Sequence, residues 1–447
     1  MSGIVGIGSP GARAEVEKML DTISHRGPEG REIVETEVAT LGLVWSKSDS
    51  EAVENLREHN IARDGEGNGR MAEARVSADR LVLTRDALGV APLYYGRTEE
   101  SDLAFASEAK ALGALGSTVQ EMLPGSTYDG RRVEMYSELE LKAPLASSPS
   151  VLAQGLRQRL EDAVAQSIGD GEVGSWLSGG LDSSALAAMA RPHVDRLHTF
   201  AAGVEGAPDL AGAAEVAEHI GSDHHEVIVT FDEMLSVLPD VIYHLESFDA
   251  LLVRSSITNY LVARAAADYV PAVFSGEGAD ELFAGYEYLK QTDPANLADE
   301  LIDITGRLHN TALQRVDRCA SAHGTVAHTA FLDPEVVEYA LRIPPEFKLH
   351  EGVEKWILRL AMQDALPESV VFRRKAKFWE GAGVGEQLAE HAESQISDSE
   401  FAQERTLEDG MTLNSKEELL YYRLFREQLG DFSDIDWVGR TKGAPRS

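Results

Sequence analysis

The chain has 447 residues, 43% hydrophobic and 26% charged, which is enough for two or three domains with buried cores. Its 75 acidic against 41 basic side chains leave a formal net charge of −34, a surface that repels polyanions and anionic lipid and so argues against nucleic-acid and membrane partners. The single cysteine, Cys319, excludes an intrachain disulfide and a cysteine-built metal site; with no apolar run of membrane-spanning length and no leader-like N-terminus, a cytoplasmic location is expected. Acidic residues are spread along the chain, so the surface is either salt-adapted or simply that of an acidic cytosolic protein.

Taken in order, residues 2–8, beginning at Ser2, read as a buried strand that starts almost at the terminus. A helical segment from Ala12 to Thr22 follows and ends at His25-Arg26-Gly27-Pro28-Glu29-Gly30. The stretches 81–95 and 103–110 alternate as strands separated by turns. Between Tyr136 and Ser150 the chain turns loose and polar, with Pro144 and Pro149, and reads as a linker between domains. From Val151 to Ile168 apolar residues recur at helical spacing.

That helix delivers the chain to Val173-Gly-Ser-Trp-Leu177, then Ser178-Gly179-Gly180-Leu181-Asp182-Ser183-Ser184, then an alanine-rich run to Ala190. An apolar strand that breaks into Ser-Gly-Gly and resumes as a helix presents backbone N–H groups and hydroxyls at a helix N-terminus, where anions are favoured. This is the pattern of a phosphate cradle, with Asp182 placed to hold a divalent metal that bridges phosphates. It is not the Walker spacing, and no lysine follows.

His198 to Val204 reads as a second buried strand, Ala207 to Ile220 as the helix after it, and His224 to Thr230 as a third strand. The adjacent His224 and His225 would point to opposite faces of a strand and read as structural rather than metal-binding. Strand and helix in alternation predict a parallel sheet covered on both faces, with ligands at the C-terminal edge of its strands. Further on, Pro271-Ala-Val-Phe274 breaks into Ser275-Gly276-Glu277-Gly278-Ala279-Asp280-Glu281, a second acidic, glycine-rich turn. A basic cluster, Arg374-Lys375-Ala-Lys377, follows in a chain poor in lysine.

The Ser178 loop resembles the pyrophosphate-binding loop of the ATP pyrophosphatase superfamily. With Ser275–Glu281, the Lys375 cluster and the ending from Tyr421 to Pro445, the second half resembles the glutamine-dependent asparagine synthetases. The first half, in its order of pieces, resembles their glutaminase domain. The resemblance implies an α/β protein of two parts. Residues 1–145 would be a truncated, degenerate N-terminal-nucleophile domain of class II glutamine amidotransferase type, built as α/β/β/α layers. Residues 146–447 would be an ATP-pyrophosphatase domain, adenine nucleotide α-hydrolase-like, with a parallel sheet.

The activity implied is adenylation of the aspartate side chain by ATP with Mg2+, then attack by an amine to give asparagine, AMP and pyrophosphate, on small-molecule substrates only and possibly as a homodimer. The resemblance assigns Asp182 and Asp280 to the metal. Leu177, Ala202, Ser275 and Gly276 would hold adenosine, and Ser178, Gly179, Gly180, Ser183 and Ser184 the phosphates. Lys375 would neutralise the adenylate, and Glu277 would act in adenylation and in handling the nucleophile. In β-lactam synthetases, which use an internal amine, a tyrosine stands in place of Glu277, so the glutamate favours an external nucleophile such as ammonia.

Three departures matter. Where the family has an N-terminal cysteine that attacks glutamine, this chain has Ser2, a far weaker nucleophile at neutral pH. The family's pocket arginine is absent after Leu41-Gly42, and Asp64-Gly-Glu-Gly-Asn-Gly69 is either a relic of its Asn-Gly-Glu loop or a polar turn. In the second half, Val326 and His328 stand where the family has a glutamate and an arginine. These departures predict use of free ammonia. They also leave open an amide ligase acting on another carboxylate and amine, in the manner of β-lactam synthetases, or a non-catalytic member.

Overall fold

The fold comes from a computed structural model of the chain, which describes residues 2–46, 50–65, 67, 69–77, 79–168, 172–373, 385–408 and 410–442. The first half is a pair of antiparallel sheets. Strands β1 (Ser2–Ile7), β2 (Gly30–Glu35), β3 (Thr40–Trp45), β7 (Tyr94–Arg97), β8 (Leu103–Ala106) and β9 (Gln120–Glu121) form one, in the order β2-β3-β1-β8-β7-β9. Strands β4 (Ile61–Asp64), β5 (Ala72–Ser77), β6 (Arg80–Arg85), β10 (Ser126–Tyr128) and β11 (Val133–Met135) form the other, in the order β11-β10-β6-β5-β4.

The period of two along each strand sorts side chains between layers. Ile4, Leu41, Leu43 and Phe105 join Ala72, Ala74, Leu81 and Leu83 in a core between the sheets. Val5, Ile7, Val44 and Ala104 face the other way, under Val16, Met19 and Leu20 of the helix Arg13–Thr22. On the outer face of the second sheet, Arg63 and Arg75 both pair with Glu73.

The second half is built on a parallel sheet of β12 (Gly174–Trp176), β13 (His198–Gly203), β14 (Asp223–Ile228), β15 (Ala272–Phe274) and β16 (Val326–His328), in the order β14-β13-β12-β15-β16. All of its pairings are parallel. One face is covered by the helices Pro149–Ile168, Leu181–Ala190 and Pro208–Ile220, whose apolar faces pack with Leu177, Ala201 and Phe274. The other face is covered by Phe231–Leu245 and Ala250–Ala267, which pack with Trp176, Phe200 and Val273. Strand order runs outward in both directions from the β12–β15 pair, so the loops after these two strands diverge and leave a crevice at their C-terminal ends.

No helix among the described residues is long and apolar enough to cross a membrane. His224 and His225 bond to different partners, Thr199 and His198, and no group of three or more metal-ligating side chains is assembled among the described residues.

Candidate active site

The Ser178 loop leaves β12 at the C-terminal edge of the sheet, where Leu177 N–H donates to the Phe200 carbonyl at 2.8 Å. Gly179 turns with φ +67°, and a Cβ there would come within 2.3 Å of the Gly212 backbone, so only glycine fits between the loop and the neighbouring helix. The helix Leu181–Ala190 starts at Gly180 with no side-chain cap. Gly180 N–H itself donates to Ser178 Oγ at 3.3 Å, and the helix thus begins at the edge of the crevice without a cap side chain on its first turn. Ser178 and Ser183 pair through their hydroxyls at 3.2 Å, which fixes the loop's width. The Ser184 hydroxyl is buried with no protein partner.

Ala202 near the end of β13 and Ser275 just after β15 lie at the same edge, and Ser275 N–H is tied to the His328 carbonyl at 2.9 Å. Gly276 packs directly against the backbone of Asp182 and Ser183, which brings the two acidic loops into contact.

Asp182 and Asp280 converge on one point. Lys355 Nζ stands there, 2.5 Å from Asp182 Oδ2 and 2.6 Å from Asp280 Oδ1. Burial opposes the ammonium, but the two carboxylates outweigh it and hold Lys355 above the usual lysine range. Gly285 closes the arrangement, since a Cβ there would lie 1.8 Å from Asp280 Oδ1 and 2.3 Å from Lys355 Cε. Two carboxylates brought together from separate loops have the chemistry that suits magnesium, which binds through one or two carboxylates together with substrate phosphates. Lys355 went unnoticed in the sequence because it is 173 positions from Asp182 and belongs to neither glycine-rich motif.

Glu277 pairs with Arg315 of the helix Ala312–Ser321. Close by, burial, reinforced by the Glu277 and Asp280 charges, pushes Glu281 up to about 8, and Tyr286 donates a hydrogen bond to it. Val326 and His328 form the ends of β16; burial, then the Arg70 charge, drives His328 down to about 4, so it is neutral here. A second cation missed in the sequence is Arg373. It is held by Asp209 at 2.8 Å and donates to the Ser178 carbonyl at 3.3 Å. Buried Arg359 supports that segment by bonding the carbonyls of Val371 and Arg373. Lys375, expected to neutralise the adenylate, lies outside the described residues, as do Glu66, Asn68 and Gly443 to Pro445.

Ser2, the position of the family's nucleophile, is 1% exposed at the start of β1. Its hydroxyl donates to the Arg63 carbonyl at 3.0 Å, and Arg26 Nε donates to the Ser2 carbonyl at 3.3 Å. Asp64, which opens the stretch read from the sequence as either a loop relic or a polar turn, is buried and paired with Arg26 at 3.0 Å and Arg70 at 3.2 Å.

The family model for asparagine synthase matches residues 155–301 and 295–438, and that for a glutamine amidotransferase domain matches residues 31–114. Asparagine synthetase B [glutamine-hydrolyzing] of Escherichia coli (strain K12) is 36% identical over 373 residues, covering 78% of this chain and 67% of that protein. Asparagine synthetase [glutamine-hydrolyzing] 2 of Lotus japonicus is 34% identical over 374 residues, covering 78% of this chain and 63% of that protein. The chain thus spans about two thirds of the length of these relatives. With an amidotransferase-type unit of antiparallel sheets ahead of an ATP-pyrophosphatase-type parallel sheet, this chain belongs to the asparagine synthase family.

Proposed function

We propose that the chain is an ATP-dependent amide-forming ligase, with residues 1–145 as a degenerate glutaminase-like domain and 146–447 as the synthetase domain. It adenylates the side-chain carboxylate of aspartate and joins it to free ammonia. The observation that carries this reading is the meeting of Asp182 and Asp280 around Lys355, beside an uncapped helix N-terminus.

In the first step a carboxylate oxygen of the substrate attacks the α-phosphorus of ATP, and pyrophosphate leaves with the bonding electrons. The N–H groups and hydroxyls of Ser178–Ser184 stabilise the charge that develops on it, as do Arg373 and Lys355. Magnesium, held by Asp182 and Asp280, would supply further charge neutralisation on the phosphates. Leu177, Ala202, Ser275 and Gly276 line the edge that would take adenosine, and Lys375 is assigned to the adenylate. In the second step ammonia attacks the acyl carbon, AMP leaves, and the nitrogen sheds a proton. Glu277, held by Arg315, is the carboxylate assigned to that step.

Ammonia rather than glutamine is favoured because Ser2 replaces a thiol and its buried hydroxyl is engaged with the Arg63 carbonyl. A second reading, the same chemistry on another carboxylate, is favoured by one observation: at β16 the chain offers Val326 and a neutral His328 where the family has a charged pair.

The test is ATP–pyrophosphate exchange against a panel of carboxylic acids. Exchange driven by aspartate supports the first reading, and exchange driven only by another acid supports the second. No exchange with any acid overturns both.

A further inference from the structure

The contact between the two halves gives the N-terminal one a task that needs no thiol. The helix Ala312–Ser321 presents Arg315 to Glu277, and residues of the first half grip it and its approach at three levels. Ahead of it, Glu121 of β9 pairs with His309 at 2.6 Å and Asn310 at 3.2 Å. At its middle, Arg26 meets Asp317 at 2.8 Å and Arg70 meets the same carboxylate at 2.9 Å. Further along, Arg318 meets Glu108 at 3.3 Å and donates to the Ser107 carbonyl at 3.1 Å.

The side chains of Arg26, Asp64 and Glu108 are 0% exposed, so water and salt do not screen these pairs as they would on the surface. Buried ion pairs add little net stability compared with apolar packing, yet each has one acceptable geometry and breaking it is costly. Such a set suits positioning better than adhesion.

We propose that the N-terminal half is a positioning clamp for the ligase site. Glu121, Arg26 and Arg70 fix the helix Ala312–Ser321, and the helix holds Arg315 where it aligns Glu277. These are positioning residues, because Arg26 and Arg70 act through Asp317, and Glu121 through His309 and Asn310, rather than on substrate. The inference rests on the reading of Glu277 as the carboxylate of the amine step.

Arg70→Gln is the informative variant, because Arg26 still contacts both Asp64 and Asp317 and Arg318 also meets Asp317 at 3.3 Å, so neither carboxylate is left without a cation. Three quantities are measured per folded molecule: pyrophosphate exchange, the rate of amide formation from ammonium, and amide hydrogen exchange of residues 312–321. Arg70→Gln should leave pyrophosphate exchange little changed, slow amide formation about tenfold, and speed hydrogen exchange in the helix. Arg70→Lys should recover part of the loss. Tyr243→Phe, which removes a contact to the Thr22 carbonyl at 3.4 Å elsewhere on the same interface, should change none of the three.

If Arg70→Gln lowers the melting temperature alone, with the ratio of the two rates and the helix exchange unchanged, the clamp is overturned. A wild type without pyrophosphate exchange toward any carboxylate overturns the ligase reading instead, and hydrogen exchange in Arg70→Gln still decides the clamp.

Discussion

Lys355 sits between two carboxylates at 2.5 and 2.6 Å, and its removal would leave Asp182 and Asp280 facing each other without a counter-charge. Like charges so close raise each other's pKa and spoil both as metal ligands. Lys355→Met should therefore cut ATP–pyrophosphate exchange by about a hundredfold, the scale for losing a preorganised charge at a reacting phosphate. Exchange within a few-fold of wild type would remove Lys355 from the site. Gly285→Ala tests the same cluster by steric means, since its Cβ would come within 1.8 Å of Asp280 Oδ1. It should lose exchange as completely as Asp280→Asn, while far-UV circular dichroism stays native; an active Gly285→Ala would mean that Asp280 tolerates displacement. At this scale the sequence shows the motif acids Asp182, Glu277 and Asp280 plainly. It hides Lys355, Arg373 and the pairing of Arg315 with Glu277, because each depends on a contact across the fold rather than on a local pattern.

Helices and strands were legible where burial imposes a period. Pro149–Ile168 buries Leu152, Leu156, Leu160 and Val164 on one stripe, and the expected start at Val151 is two residues late because the proline opens the first turn. The helix Ser50–His59 went unread, since Leu56 is its only fully buried described side chain; β11, exposed along its whole length, offered no alternation. One element-level feature predicts a pH response. Histidines from three elements meet where the halves join: His25 packs on His244 at 4.5 Å between ring centroids, and Tyr260 lies 4.4 Å from His323. Burial drives His244 down to about 2 and His323 to about 4, and lowers His25 as well. These groups stay neutral in the folded protein while the unfolded chain protonates near pH 6.5, about the ordinary value. Their contribution is thus complete above that pH and is lost as pH falls toward 4. Glu281, raised to about 8, works in the opposite sense, as do Asp86 and Asp333, but burial lowers His224, His225 and His328 as well, so six histidines stand against three carboxyls. Urea unfolding should show lower stability at pH 5 than at pH 7, with a shallower dependence in His323→Gln; equal or greater stability at pH 5 would contradict this.

For the whole molecule, the order of two units was legible from the order of the motifs. The contact between them was not. Arg26, Arg70, Arg318, Asp64, Glu108 and Asp317 are residue types that usually face water, and only the fold reveals that they neutralise one another in the interior. The chain as a whole carries a formal net charge of −34, and most of its acidic side chains are on the surface. Such a surface repels itself at low ionic strength, where the Debye length is about 30 Å at 0.01 M against about 3 Å at 1 M. The melting temperature should rise with KCl over that range. A flat or falling value would show that surface repulsion does not limit stability.

On the proposed reading, this molecule makes an amide from free ammonia on an acyl-adenylate, with an amidotransferase-type half that does not hydrolyse glutamine. The most direct measurement is to supply ATP, magnesium and aspartate with either nitrogen-15 ammonium or amide-labelled glutamine, and to read the label in asparagine and the release of glutamate by mass. Labelled asparagine with stoichiometric AMP from ammonium, and neither labelled product nor glutamate from glutamine, is the expected result. Label transferred from glutamine, or glutamate released by the wild type, would contradict it.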